Sequence, residues 1–430
     1  MAGRFTAVTA SKNQMSWSKR QLERQMDEEW SSVGEKFVCP NCFDDYAIKE
    51  FIADNATAQE CSYCENRSEK PIAAEMDEVI SFISEGIHRE HEDPVHGVSY
   101  DSGEGGYQMH VTSTYELLVD LGFGDCPQKL FEDLIHAFSD YQWVQRDPYG
   151  DLPCDTLRYS WEAFSDQVKH HSRFVFYKLK TREEWERQPE PFAILDSLGS
   201  IVTELGLTRI LPAGSEVIRA RQHSSEKNYK TAEELGTAPK KKASQSRMSP
   251  AGIPMFYGAF TEGTAFAEIA VTDKGRDVVT FGRFKTLRPL RLLDLSKLPD
   301  VPSVFDGENY HKRMPLIFMR GFEQDATRRV TKDGMEHIEY VPTQIVAEYF
   351  RHVFKQPDDT RLDGILYRSS VSHDGVCVAL FCTNEDCTDD PAAAGKKLAL
   401  VGVHREKSWT PISDEDIAKE IEKAMKAGLV

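Results

Sequence analysis

Four side chains with complementary chemistry follow one another between Glu216 and Ile269. Arg219 lies in EVIRAR, within the alternating apolar run Val217, Ile218, Ala220, so its guanidinium starts from a half-buried strand. Arg247 precedes Ser-Pro-Ala-Gly, a turn able to aim backbone amides at a ligand. Tyr257 belongs to the apolar strand Met255–Phe260, and Glu268 to a short helix begun by Thr261 or Thr264. Taken singly, these residues read as an ion-pair partner, a core ring and a solvated helix carboxylate. Their order points further. Guanidinium forks bind phosphate oxygens, an aromatic face stacks on a base, and a carboxylate steadies developing positive charge. The set suits a phosphorylated ligand whose reaction passes through a cation.

Strands and helices must bring these residues together. After Leu211-Pro212-Ala213-Gly214, short apolar runs at Val278–Phe284, Leu290–Leu295, Gly364–Tyr367 and Val376–Phe381 read as strands. Helical periodicity interrupts them near Glu308–Arg320 and Thr343–Phe354, where Ile345, Val346, Tyr349, Phe350 and Val353 share a face. The expected fold is α+β. Between the two arginines, Glu226–Gln245 with its Lys240–Lys242 run reads as a solvated loop, or as a mobile lid.

The segments VIRAR, RMSPAG, FYGAF and TAFAEI, followed by DGILYRSS and CVALF, resemble the RES domain, a family named for its arginine, glutamate and serine. The resemblance runs from about Ile201 to Val403. It implies an ADP-ribosyltransferase-like fold and NAD as substrate, with the nicotinamide–ribose bond cleaved by water or phosphate. It also implies a toxin or defence effector held by an antitoxin or regulatory protein. Carried onto this chain, the family's site falls on Arg219, Arg247, Tyr257, Glu268 and Ser369, with Ser370 adjacent to the last. Two other classes stay open: an ADP-ribosyltransferase acting on a macromolecule, and a non-enzymatic binding protein with a silent RES part.

Cys39, Cys42, Cys61 and Cys64 form CPNC and CSYC, eighteen residues apart. That spacing lets two knuckle turns deliver four thiolates to one tetrahedral zinc, which is then structural because its sphere is full. The other five cysteines show no paired pattern and read as reduced packing residues.

The remaining N-terminal half is helical in period. Met76, Val79, Ile80, Ile83 and Ile87 form one stripe; Leu130, Phe131, Leu134, Ile135 and Phe138 a second; Ile194, Leu195, Leu198, Ile201, Val202 and Leu205 a third. Glu92–His110 reads as a loop. A bundle of this kind, placed before a RES domain, is likened to HEPN. HEPN ribonucleases use an arginine and a histidine with four to six residues between them, a count that Arg89 and His96 satisfy. Pro94 breaks the helix that would present that pair, so it reads as incidental. The expected organisation is an arm at 1–36 with a helix at Ser18–Trp30, a zinc ribbon at 37–70, a helical domain at 71–206, the RES domain at 207–405 and a C-terminal helix at 406–430.

Composition bounds the rest. The 430 residues carry 52 basic and 70 acidic side chains, a formal charge of −18 that repels phosphate backbones and argues against general nucleic-acid binding. No eighteen-residue apolar run and no signal-peptide pattern occur, so a soluble cytoplasmic protein is expected, with no membrane partner and with homo-oligomerisation left open.

Overall fold

The computed structural model describes residues 30–103, 105–139, 142–174, 193–270, 276–328, 334–372 and 374–407. The helix expected at Ser18–Trp30 (but for Trp30 itself) and, beyond Lys407, the C-terminal helix expected at 406–430 lie outside them. The chain divides into two compact units, Met1–Asp151 with Val301–Arg313, and Leu152–Asp300 with Met314–Val430.

In the first unit β1 (Phe37–Val38) pairs antiparallel with β2 (Ala74–Glu75), closing the cysteine segment at its base. Helix α1 (Tyr46–Asp54) stands between the two cysteine pairs, its start fixed by the Asp45 carboxylate, which accepts from the Ala47 and Ile48 amides. Helix α2 (Met76–Glu90) buries the whole first stripe, Met76, Val79, Ile80, Ile83 and Ile87. The segment expected to be a plain loop holds β3 (His91–Glu92) and the small hairpin β4 (Tyr100–Asp101)–β5 (Gly106–Tyr107). Strand β3 and β6 (Thr112–Ser113) flank β7 (Gln142–Gln145) in a three-stranded antiparallel sheet, with α3 (Thr114–Asp120) and α4 (Gln128–Phe138) in between. The region is therefore helices with a small sheet rather than a pure bundle. Its two- to four-residue strands are too short for alternation to register. Cys39, Cys42 and Cys61 share one core with Ile48, Ile52, Val79, Ile83 and Leu134, so the cysteine module is built into the unit's packing.

The second unit begins with α5 (Pro153–Asp166) and α6 (Ala193–Glu204). Ile194, Leu198, Ile201 and Val202 bury in the same core as Phe281 and Ile365. Packing thus groups these helices with the sheet, across the 206/207 boundary read from the sequence. Among the described residues that sheet has nine strands: β8 (Thr208–Leu211), β9 (Glu216–His223), β10 (Phe256–Ala259), β11 (Val278–Thr286), β12 (Leu290–Asp294), β13 (Gly364–Arg368), β14 (Val376–Leu380), β15 (Cys387–Thr388) and β16 (Leu398–Lys407). Their order is β15-β16-β11-β9-β10-β14-β13-β12-β8, antiparallel except at β12/β13 and β15/β16. Alternation sends Ile218, Ala220, Phe281 and Ala379 to one core and Val217, Phe256, Phe284 and Val378 to another. Strands β9 and β10 pair only at Ala259 opposite Ile218, so the sheet parts between them. Helix α7 (Ala232–Leu235) lies in the insertion expected to be a solvated loop or a lid. Its Ala232 and Leu235 are buried, and the Asn384 amide donates to the Glu233 and Thr237 carbonyls. The first half of the insertion is thus a packed part of the second core, whereas Lys240–Lys242 are exposed.

Candidate functional site

A cavity of about 990 Å³ opens where β9 and β10 part, lined, among the described residues, by the second unit alone. Arg219, Arg247, Tyr257 and Glu268 all line it, together with Ser370. Volume and mixed polarity are those of a small-molecule site.

Glu268 is the best-positioned of these groups. It sits near the C-terminal end of α8 (Glu262–Ile269), a helix started by Thr261, whose hydroxyl accepts from the Thr264 amide. Its carboxylate is exposed to the cavity, and the Ser369 hydroxyl donates to Oε1 at 2.6 Å. Ser369 Oγ in turn accepts from the Val371 and Ser372 amides, so a turn holds the hydroxyl that holds the carboxylate. Thr264 and Ser372 share a hydroxyl contact at 3.3 Å that ties this turn to α8. Gly375 permits the approach, since a Cβ there would lie 2.7 Å from Thr264 Cγ2. The Cys377 thiol also points at Glu268 Oε1, 3.6 Å away. Burial and the neighbouring carboxylate push that thiol up, so it stays protonated as a donor. Both of these donors are on Oε1.

The two serines separate here. Ser369 serves Glu268, while Ser370 Oγ accepts from Arg247 Nη2 at 3.4 Å. Arg247 Nη1 donates to the carbonyls of Ala326 and Arg328 at 3.1 and 2.8 Å, at the end of α9 (Arg313–Thr327). The turn carrying Arg247 is braced by the Gln344 amide on the Ser246 carbonyl, at the start of α11 (Val341–His352).

Arg219 leaves β9 on the side of Phe256, with its guanidinium 5.4 Å from that ring and Nη1 donating to the Tyr257 carbonyl at 2.9 Å. Its Nε is buried without a partner. Burial and neighbouring Arg221 lower the guanidinium to about 10, which leaves it charged at neutral pH. Tyr257 projects to the opposite face, where its hydroxyl and Ser249 share a hydrogen bond at 3.0 Å. Burial raises its phenol. The two residues therefore meet the cavity from different faces of the sheet.

Sequence reasoning passed over Cys377, Tyr367, Tyr340 and Glu336, which also line the cavity. Strand register supplies the missing signal for two of them. Cys377 is opposite both Ala259 and Tyr367, which places it beside the site strands.

In the first unit Cys39, Cys42, Cys61 and Cys64 converge, with all four sulfurs within 4.8 Å of one another. Neighbouring Sγ–Sγ separations are 3.9 Å for Cys39–Cys42, 3.5 Å for Cys39–Cys64 and 3.6 Å for Cys42–Cys61. The Tyr63 amide donates to Cys61 Sγ and the Asn66 side chain to Cys39 Sγ, the outer-shell donors that suit thiolates. The cluster is able to hold a metal ion.

Arg89 and His96 are not joined in this way. Helix α2 ends at Glu90, and Arg89 donates to the Val304 carbonyl at 2.6 Å beneath the Tyr310 ring. His96 lies on an exposed turn after Pro94, lining a separate small hollow with His88 and His91.

Comparison with protein families matches residues 216–401 to the RES domain and residues 54–182 to the HEPN/RES N-terminal domain 1, together well over half of the chain. Among curated proteins and solved structures none matches significantly. Among the described residues, no helix is long and apolar enough to cross a membrane.

Proposed function

The chain belongs to the RES-domain family, and from that premise we propose that the cavity binds NAD and cleaves its nicotinamide–ribose bond. The observation that carries this is the Glu268 carboxylate, held by Ser369 at 2.6 Å and open to a cavity that two arginines also line. Arg219 and Arg247 engage the pyrophosphate or the adjacent ribose. Tyr257 packs against the nicotinamide. Glu268 accepts from a ribose hydroxyl through Oε2 and faces the anomeric carbon. As the C–N bond breaks, its electron pair goes to the ring nitrogen and neutralises the pyridinium charge. The leaving group needs no proton, so no strong general acid is required. The ribose is left as an oxocarbenium-like cation, and a fixed carboxylate beside it lowers that barrier without reorganising. Water then adds to the cation with loss of a proton, or phosphate adds directly. The residue set therefore supports an NAD glycohydrolase or NAD phosphorylase, acting as a toxin or defence effector under an antitoxin or other regulator.

We further assign zinc to the four cysteines, in a structural role. Zinc–sulfur bonds of about 2.3 Å put tetrahedral sulfurs about 3.8 Å apart, close to the separations given above. Four thiolates leave no open position for substrate.

The test is incubation of the purified chain with NAD, with and without phosphate, followed by separation of the products. Free nicotinamide with ADP-ribose, or with its 1″-phosphate when phosphate is present, is expected. Label transferred to protein selects the transferase reading, and intact NAD overturns both.

A further inference from the structure

Arg247 lines the cavity and is anchored at two points. At one end its backbone carbonyl accepts from Thr343 Oγ1 at 2.6 Å, in the first turn of α11. At the other its guanidinium reaches Ser370, next in sequence to the serine that holds Glu268. Thr343 Oγ1 also donates at 3.0 Å to the carbonyl of Tyr340, which continues the short helix α10 (Glu336–Glu339). Glu336 and Tyr340 both line the cavity and lie one helical turn apart, with the Tyr340 amide donating to the Glu336 carbonyl at 3.0 Å. Glu339 on the same turn is already taken by Lys169 at 2.7 Å. Glu336 is exposed.

A dinucleotide carries its pyrophosphate between two nucleosides. With the nicotinamide riboside at Glu268 and the pyrophosphate along Arg247, the second nucleoside falls on the α10 side. We propose that Glu336 and Tyr340 form the adenosine subsite, and that the Glu336 carboxylate selects NAD against NADP. This assignment rests on reading the cavity as an NAD site. A carboxylate accepts from the vicinal 2′- and 3′-hydroxyls of a ribose, as acidic residues do in dinucleotide folds of other kinds. A 2′-phosphate replaces one of those donors with about two negative charges and meets the carboxylate head on. The Tyr340 ring supplies a face for adenine, and stacking of this kind tolerates either dinucleotide. Discrimination thus resides in Glu336 and general affinity in Tyr340.

Initial rates with NAD and with NADP on the full chain test this directly. The parent should favour NAD in kcat/KM by at least about a hundredfold. Glu336→Gln should narrow that ratio to within about tenfold, through a higher KM for NAD and a lower KM for NADP. Tyr340→Ala should raise KM for both dinucleotides by about tenfold and leave their ratio alone. Equal use of NADP by the parent, or an unchanged ratio in Glu336→Gln, overturns the subsite while leaving NAD cleavage standing. Failure of the parent to consume NAD removes the NAD reading itself and this inference with it.

Discussion

The cysteine cluster and the cavity are opposite solutions to holding reactive groups. In the first unit four sulfurs face one another across 3.5–3.9 Å, three of the four cysteines are buried in the unit's core, and their capacity is spent on a single point. In the second unit the polar groups surround a space instead. Glu268 lines the cavity with its hydrogen-bond donors on Oε1, and Arg247 uses part of its donor set on carbonyls at the end of α9. A closed site of four anionic ligands gains folding energy from its ion; an open one keeps unsatisfied charge in place so that a ligand can complete it. On the proposed zinc and NAD readings, stability chemistry and ligand chemistry fall in separate units.

Metal removal probes that separation most severely. A structural zinc site contributes on the order of 10 kcal/mol, so chelation or Cys42→Ser should abolish the cooperative melting of the first unit. NAD consumption should persist, because every described residue lining the cavity belongs to the second unit. Metal analysis should find about one zinc per chain. Absence of zinc from freshly purified, reduced protein would remove the cluster's assignment, and simultaneous loss of NAD turnover would break the comparison.

A smaller but sharper effect is expected at Glu268. Glu268→Gln preserves volume and hydrogen bonding while removing the charge, and should lower NAD turnover at least about a hundredfold. Arg219→Ala should also impair turnover, partly through weaker binding. Ser369→Ala, acting only through the orientation of Glu268, should cost about tenfold in kcat, and Ser370→Ala less. Circular dichroism should show all four folded. Parental turnover by a folded Glu268→Gln variant would mean that the chemistry lies elsewhere.

The mildest effects belong to the Arg89–His96 pair. Arg89→Ala should destabilise the first unit by about 1–2 kcal/mol, because the Val304 carbonyl loses a charged donor. His96→Ala, at an exposed position, should leave melting, NAD turnover and cellular toxicity unchanged. RNA cleavage that depends on either residue would give the first unit chemistry of its own.

These outcomes follow how far each feature could be read before folding. Cys39, Cys42, Cys61 and Cys64 lie within one short segment, and a metal's fixed coordination geometry leaves a signature in spacing. The strands at Val278–Thr286, Leu290–Asp294, Gly364–Arg368 and Val376–Leu380 declared themselves because burial on both faces demands continuous apolar runs. The core stripes of α2 and α6 were equally legible, since helical period and burial are one fact seen twice. Which core α6 joins was not, because an apolar stripe does not say what it faces. Nor did local pattern reveal α7, whose four residues are helical because Ala232 and Leu235 are packed.

For the site itself, the residue types and their order were set by the sequence alone: arginine, arginine, tyrosine, glutamate, serine. Tertiary structure decided what each of them touches. Ser369 and Glu268 are 101 residues apart, and only the pairing of β13 with β14 and the seating of α8 bring hydroxyl to carboxylate. The same long-range pairing placed Cys377 beside Glu268, split the roles of Ser369 and Ser370, and set Arg219 and Tyr257 on opposite faces. Spacing records contacts that the local backbone enforces. Contacts between distant strands and helices depend on register and packing, which no single segment encodes.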